Sequence, residues 1–156
     1  MENPSWIDKH LDIGDLENSL GFLLRICQVK VYDQFFNYFH GLDIRPGEFS
    51  VWWVIHLNPG VMQGDVAEML RIRPAHMTKI IRRGEENGWV RRTIPDNNRR
   101  SVSLALTETG ETFVTKLRDS FFGADSYHHH SLSEEEHAQL TVLLRKYACL
   151  HTKRAV

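Results

Sequence analysis

The stretch Leu70-Arg-Ile-Arg-Pro-Ala-His-Met-Thr-Lys-Ile-Ile-Arg-Arg-Gly-Glu-Glu-Asn-Gly-Trp-Val-Arg-Arg92 decides how this chain is read. Pro74 suits the first turn of a helix, where its missing N–H is not needed. From there Met77, Ile80, Ile81 and Gly84 recur at helical spacing and predict an inner face. Arg73, His76, Lys79, Arg82 and Arg83 fall largely on the other side, so the outer face is basic. Gly88 is the expected stop. Beyond it, residues 89–94 and 101–106 read as two strands joined by the polar turn Pro95-Asp-Asn-Asn-Arg-Arg100. A helix pair followed by a basic hairpin predicts a winged helix-turn-helix.

Charge singles out the same stretch. Between Leu70 and Thr107 there are nine basic and three acidic residues, a net of +6. The remainder holds ten basic and seventeen acidic residues, a net of −7, so the near-neutral total of −1 hides an acidic body with one basic patch. A focused patch of this kind attracts a polyanion such as DNA, which releases condensed counterions on binding.

Outward from this core the pattern is helical. Leu16, Leu20, Leu23, Leu24, Cys27, Val31 and Phe35 predict a long amphipathic helix from Asp15 to about His40. Pro46 is expected in the first turn of a second helix that carries Phe49, Trp52, Trp53 and His56 and stops at Asn58-Pro59-Gly60. A short third helix is expected from Gln63 to Leu70. After the hairpin, Thr107 caps a fifth helix and Ser133 a sixth, the latter with the capping-box partner Glu136. The fold class is therefore mainly α with a small β-hairpin wing. Residues 1–45 and 108–156 are expected to supply dimerisation helices around a DNA-binding region at 46–107, as one intertwined domain. Long apolar stripes at both ends need a partner surface, and a two-fold dimer supplies one.

At 156 residues and 42% hydrophobic content the chain can bury a real core. No apolar run approaches the roughly 20 residues that span a bilayer, and Met1 to Asp12 lacks the apolar stretch of a secretory signal, so a cytoplasmic protein is expected. Cys27 and Cys149 are too few and too distant in sequence for a disulfide framework. Both are expected as reduced thiols in helices, Cys27 buried within its apolar stripe. No catalytic triad, carboxylate pair or phosphate-cradling loop stands out, so neither enzymatic activity nor a cofactor is expected.

The Leu70–Arg92 run, together with Asn98-Arg-Arg-Ser-Val-Ser-Leu-Ala-Leu-Thr-Glu-Thr-Gly110 and Leu132-Ser-Glu-Glu-Glu-His-Ala-Gln-Leu140, resembles the MarR family of bacterial transcriptional regulators. The resemblance spans about Asp15 to Leu150. It implies a dimer that binds a pseudo-palindromic operator and is commonly released by a small aromatic or anionic ligand. On it, Arg73, His76, Thr78, Lys79, Arg82 and Arg83 match the DNA-reading helix, and Arg99 and Arg100 the wing tip. Departures are Asn98, where the family usually has Asp, Gly84, where it usually has Leu, and Arg82, where an acid is frequent. The gap left by Gly84 is expected to be filled by a neighbouring Trp.

Arg25, Phe36, Trp53 and His56 are candidates for a ligand cavity, the arginine as a carboxylate partner. His128, His129, His130 and His137 read as a polar loop and the start of a helix rather than a metal site, since consecutive histidines diverge; no metal is expected. Two other function classes stay open on sequence grounds. One is a winged-helix protein-interaction module without specific DNA binding, the other a regulator that senses oxidants through Cys27.

Overall fold

The computed structural model describes residues 11–42, 44–94, 102–122 and 132–150. They fall into two compact units, Met1–Val114 and Thr115–Val156.

In the first unit, a short 3₁₀ helix at Gly14–Asn18 precedes helix α1, Leu20–Tyr38. The single helix expected from Asp15 is broken because Ser19 adopts an extended backbone conformation between the two. Only Phe35 in α1 and Phe39 just beyond it are buried, with their rings 4.7 Å apart. Of the rest of the stripe, Leu16, Leu20, Leu23, Cys27 and Val31 are exposed in the single chain and Leu24 is half-buried.

Helix α2 spans Glu48–Leu57 and is apolar nearly all round; Phe49, Val51, Trp52 and Ile55 are fully enclosed. Such burial removes each side chain from water at a gain of about 1.5–3 kcal/mol. Pro46 lies outside the helix, a correction to the sequence reading. The left-handed Gly47, at φ 85°, intervenes. The preceding turn is closed from both sides: the Glu48 N–H donates to the Arg45 carbonyl at 3.0 Å, and the Arg45 N–H donates to the Glu48 carboxylate at 3.0 Å.

Strand β1, Val61–Met62, leads into α3, Gln63–Met69. The third to fourth helix turn passes through Arg71 at φ 54° before α4, Pro74–Glu86. Strands β2, Val90–Thr93, and β3, Ser103–Leu106, complete an antiparallel sheet of order β1-β3-β2, with Val61 and Arg92 both opposite Leu104. The sheet therefore has one strand more than the hairpin read from the sequence.

Two glycines set the packing of α4 and of α5, Glu108–Phe122, through close approach. A methyl built on Gly84 would lie 2.6 Å from Cη2 of Trp52 and 3.2 Å from Cγ2 of Val90, so the indole does occupy the gap left in the inner face of α4. A methyl on Gly110 would overlap the backbone carbonyl of Trp89. That carbonyl accepts from the Thr107 N–H at 2.9 Å, while the Thr107 hydroxyl donates to the Gly88 carbonyl at 2.5 Å and accepts from the Gly110 N–H at 3.1 Å. The run Leu106-Thr107-Glu108-Thr109-Gly110 thus seats the first turn of α5 against Gly88 and Trp89, just before the hairpin's entry strand begins. Phe113 stacks on Trp89 there, with centroids 4.0 Å apart.

The second unit holds the end of α5 and helix α6, Glu134–Tyr147. The capping box forms as its residue spacing implies: Ser133 Oγ accepts from the Glu136 N–H at 3.2 Å, and the Glu136 carboxylate accepts from the Ser133 N–H at 2.7 Å. Donation from the Ser133 backbone N–H, and secondarily from its hydroxyl, holds the Glu136 carboxyl below the usual carboxylate range. No α6 residue is buried, and Leu140, Val142, Leu143, Leu144 and Tyr147 are all exposed. Among the described residues no helix is long and apolar enough to cross a membrane.

Candidate nucleic-acid interface

Helix α4 separates its two faces cleanly. Met77, Ile80, Ile81 and Gly84 are buried, whereas Arg73, His76, Thr78, Lys79 and Arg82 are exposed. Burial of the apolar row forces the basic row outward, because residues three and four apart share a face. The Thr78 hydroxyl donates to the Pro74 carbonyl at 3.0 Å, and its oxygen keeps the capacity to accept a bond on this exposed face. Arg82 meets Glu86 one turn on at 3.3 Å, an exposed pair of small energetic weight. Arg71, Arg73, Lys79 and Arg91 have no ion-pair partner among the described residues.

Arg83 sits differently. Its Nη1 donates to both oxygens of Glu48, at 3.0 and 2.9 Å, and the two side chains are only 17% and 5% exposed. The sequence placed Arg83 with the outward basic residues; the structure turns its guanidinium back onto α2, where it satisfies the single buried charged residue among those described. Nothing local announces this, since the partners are 35 residues apart. The one sequence signal was a glutamate at the head of an otherwise apolar helix.

At the far side of α4, Glu85 holds Arg92 of β2 through two bonds, Nε to Oε1 at 2.8 Å and Nη2 to Oε2 at 2.6 Å. Arg99 and Arg100 lie outside the described residues, as do His128, His129 and His130. Among the described residues no cluster of three metal-ligating side chains forms.

A cleft of about 440 Å³ opens between α1, the head of α2 and the α3–α4 turn, lined in part by Tyr32, Ser50, Arg71, Arg73, His76 and Ile80. None of Arg25, Phe36, Trp53 and His56 lines it. Arg25 and Phe36 are exposed on α1, three turns or roughly 16 Å apart along its axis. Trp53 and His56 do meet, with ring centroids 5.1 Å apart, and His56 Nδ1 lies 2.5 Å from a carboxylate oxygen of Glu111 at the head of α5. Of the cleft's lining, the sequence reading had only Arg73 and His76 among its site residues; Arg71 is the arginine it left off, and Tyr32 and Ser50 are further polar residues it did not include. Cys27 is exposed rather than buried, because the α1 face that carries it is uncovered in the single chain, and Cys149 follows α6 instead of lying in it.

A basic reading helix, the helix before it and a short antiparallel hairpin define a winged helix-turn-helix unit. The family model described as MarR family matches residues 44–102. A putative transcriptional regulatory protein for the hcr operon of Thauera aromatica is 26% identical over 134 residues, which cover 85% of this chain and 81% of that protein. Among solved structures, the transcriptional repressor CouR bound to a 23-mer DNA duplex is similar at a TM-score of 0.79 and 25% identity, covering 90% of this chain and 99% of that one. Wild-type MarR from E. coli in its apo form gives a TM-score of 0.68 at 25% identity, covering 83% and 96%. The MarR-family match thus falls on the winged helix-turn-helix unit of this chain, and the relative and solved structures similar to it are transcriptional regulators.

Proposed function

We propose that this protein is a non-enzymatic, sequence-specific DNA-binding repressor that acts in the cytoplasm as a homodimer and is released by a small aromatic or anionic ligand. The observation that carries the reading is the sorting of α4, with an enclosed apolar row and an exposed row of Arg73, His76, Thr78, Lys79 and Arg82. A single helix fits a major groove about 12 Å wide, and cationic or hydroxylic side chains on its outer face suit base edges and phosphates. Arg99 and Arg100, which lie in sequence between β2 and β3, have the chemistry to enter a narrow, electronegative minor groove. Arg83 supports these residues from behind, through Glu48, instead of touching the duplex.

The exposed apolar rows of α1 and α6 call for a partner surface, and a second copy covers both with two-fold symmetry. Half-sites are then about 10 base pairs apart. For the ligand, the cleft at Tyr32, Arg71, Arg73 and His76 gathers cationic groups and a phenol in one place, which Arg25, Phe36, Trp53 and His56 do not. The support from relatives is that CouR binds a duplex.

The test is a titration of the dimer against a labelled duplex carrying the intergenic DNA beside its own gene, at several salt concentrations. Affinity is expected to fall steeply with salt, and Lys79→Ala to reduce the log–log slope by about 1. Equal, weak binding to every duplex, or a monomer at micromolar concentration, overturns the proposal.

A further inference from the structure

The reading helix carries an acid that electrostatics alone does not explain. Glu85 lies on α4, three residues after Arg82, in a unit proposed above to face a polyanion, where a carboxylate repels the ligand. Its side chain is 28% exposed and engages Arg92, 34% exposed, in a two-bond fork. Planar guanidinium and carboxylate joined in this way fix a direction as well as a distance, which a single exposed pair does not.

The fork sits on one face of β2 with an apolar contact beside it. Side chains alternate along a strand, so Val90 and Arg92 project on the same side and Arg91 on the other. Val90 is buried, its Cγ2 close against Gly84 of α4, and Arg92, two residues on, reaches Glu85 of the same helix. Two successive contacts therefore register β2 on the last turn of α4. Asn87 and Gly88 are the only residues between the end of α4 and Trp89; Gly88 takes φ 70°, and the Gly88 and Trp89 N–H groups donate to the Glu85 and Gly84 carbonyls, so β2 leaves directly from the last turn of α4.

We infer that Glu85 and Arg92 are positioning residues for DNA binding: their fork sets the direction in which the β2–β3 hairpin leaves the reading helix, so that helix and hairpin address one duplex together. This rests on the DNA-binding reading given above. It assigns Arg92, despite its charge, no contact with the nucleic acid, and it gives Glu85 a sign of effect opposite to that of a simple anion near DNA.

The experiment compares the full-length dimer with Glu85→Gln, Arg92→Lys, the double variant and Glu86→Gln by fluorescence anisotropy on the same intergenic duplex. Binding by the unaltered protein is read first, and its absence refutes the DNA-binding reading itself. With binding present, Glu86→Gln removes an exposed acid and leaves affinity unchanged or a few-fold tighter. Glu85→Gln also removes an acid, yet is expected to weaken affinity about tenfold. Arg92→Lys keeps the charge but cannot form the fork, and is expected to weaken binding to the same degree with an unchanged salt slope. The double variant is expected to be no worse than either single one, as for residues that act as a unit. Tightening by Glu85→Gln, or a silent Arg92→Lys, overturns the inference. Thermal melts within a few degrees of the parent show that the loss is not unfolding.

Discussion

Replacing Gly84 by alanine sets two effects of known size against each other. In an unconstrained helix interior the change is favourable by about 1 kcal/mol, since glycine is the poorest helix former apart from proline. Here the new methyl would stand 2.6 and 2.9 Å from two carbons of the Trp52 ring. The indole cannot yield cheaply: it is 1% exposed and meets Trp89 edge to face at 6.3 Å. Overpacking of a closed core costs about 1–3 kcal/mol, so the clash outweighs the propensity gain. The expected result is a net loss of about 1 kcal/mol, a fall of a few degrees in Tm, measured by urea and thermal unfolding of the dimer at fixed concentration. Trp52→Phe removes the ring atoms concerned, so in that background Gly84→Ala should become stabilising by about 1 kcal/mol. Gly64→Ala, where a methyl would meet nothing within 4 Å, serves as the open-space control and should be neutral or mildly stabilising. A Gly84→Ala protein as stable as its parent in the Trp52 background would refute the reasoning.

Gly110→Ala should be more damaging, at several kcal/mol and with poor recovery of folded protein, because its methyl would strike the Trp89 backbone rather than a side chain. Arg71 holds a left-handed conformation that costs a non-glycine residue about 1–2 kcal/mol, so Arg71→Gly is expected to raise the unfolding free energy by roughly 1 kcal/mol while weakening affinity for a duplex in an anisotropy titration. Glu48→Ala removes the carboxylate that accepts two bonds from the largely buried Arg83 guanidinium and should cost up to about 3–5 kcal/mol in urea unfolding, whereas Glu48→Gln, which keeps an acceptor, should cost less. Glu136 has its carboxyl held below the ordinary range by bonds to Ser133, so its stabilising effect is present above the unfolded-state value and lost as pH falls through the lower folded one. Acid titration followed by hydrogen exchange should show the first turn of α6 opening in that window; Glu136→Gln should remove that pH dependence, whereas Ser133→Ala, which keeps the backbone N–H, should only reduce it.

What the sequence disclosed was what local chemistry decides. Pro74 at the head of α4, the Ser133–Glu136 capping box, and the inner row Met77, Ile80, Ile81 each follow from residues within a turn or two of one another. Strand β1 escaped because two residues after Asn58-Pro59-Gly60 have no periodicity; only pairing with β3, some forty positions later, makes Val61 and Met62 a strand. The reassignment of Arg83 has the same origin, since its place on the helical wheel suggested solvent and a distant glutamate captured it. The break at Ser19 shows the converse: an apolar stripe continuous in sequence crosses a change of helix type. The basic surface was legible as a row, whereas its division into free cations and clamped ones depended on acids from α2 and from α4 itself.

The consecutive tryptophans of α2 face different neighbourhoods. Trp52 joins Trp89 and, through it, Phe113, while Trp53 lies between Phe49 and His56, with centroids 6.1 and 5.1 Å away. Chromophores held edge-on or stacked at such distances give a strong chiral absorption in the near ultraviolet that vanishes when side chains lose fixed orientations. The protein therefore carries its own optical gauge of how α2, the hairpin entry and the head of α5 are seated. Any effector or duplex that reseats them should write its arrival into that spectrum without an attached dye.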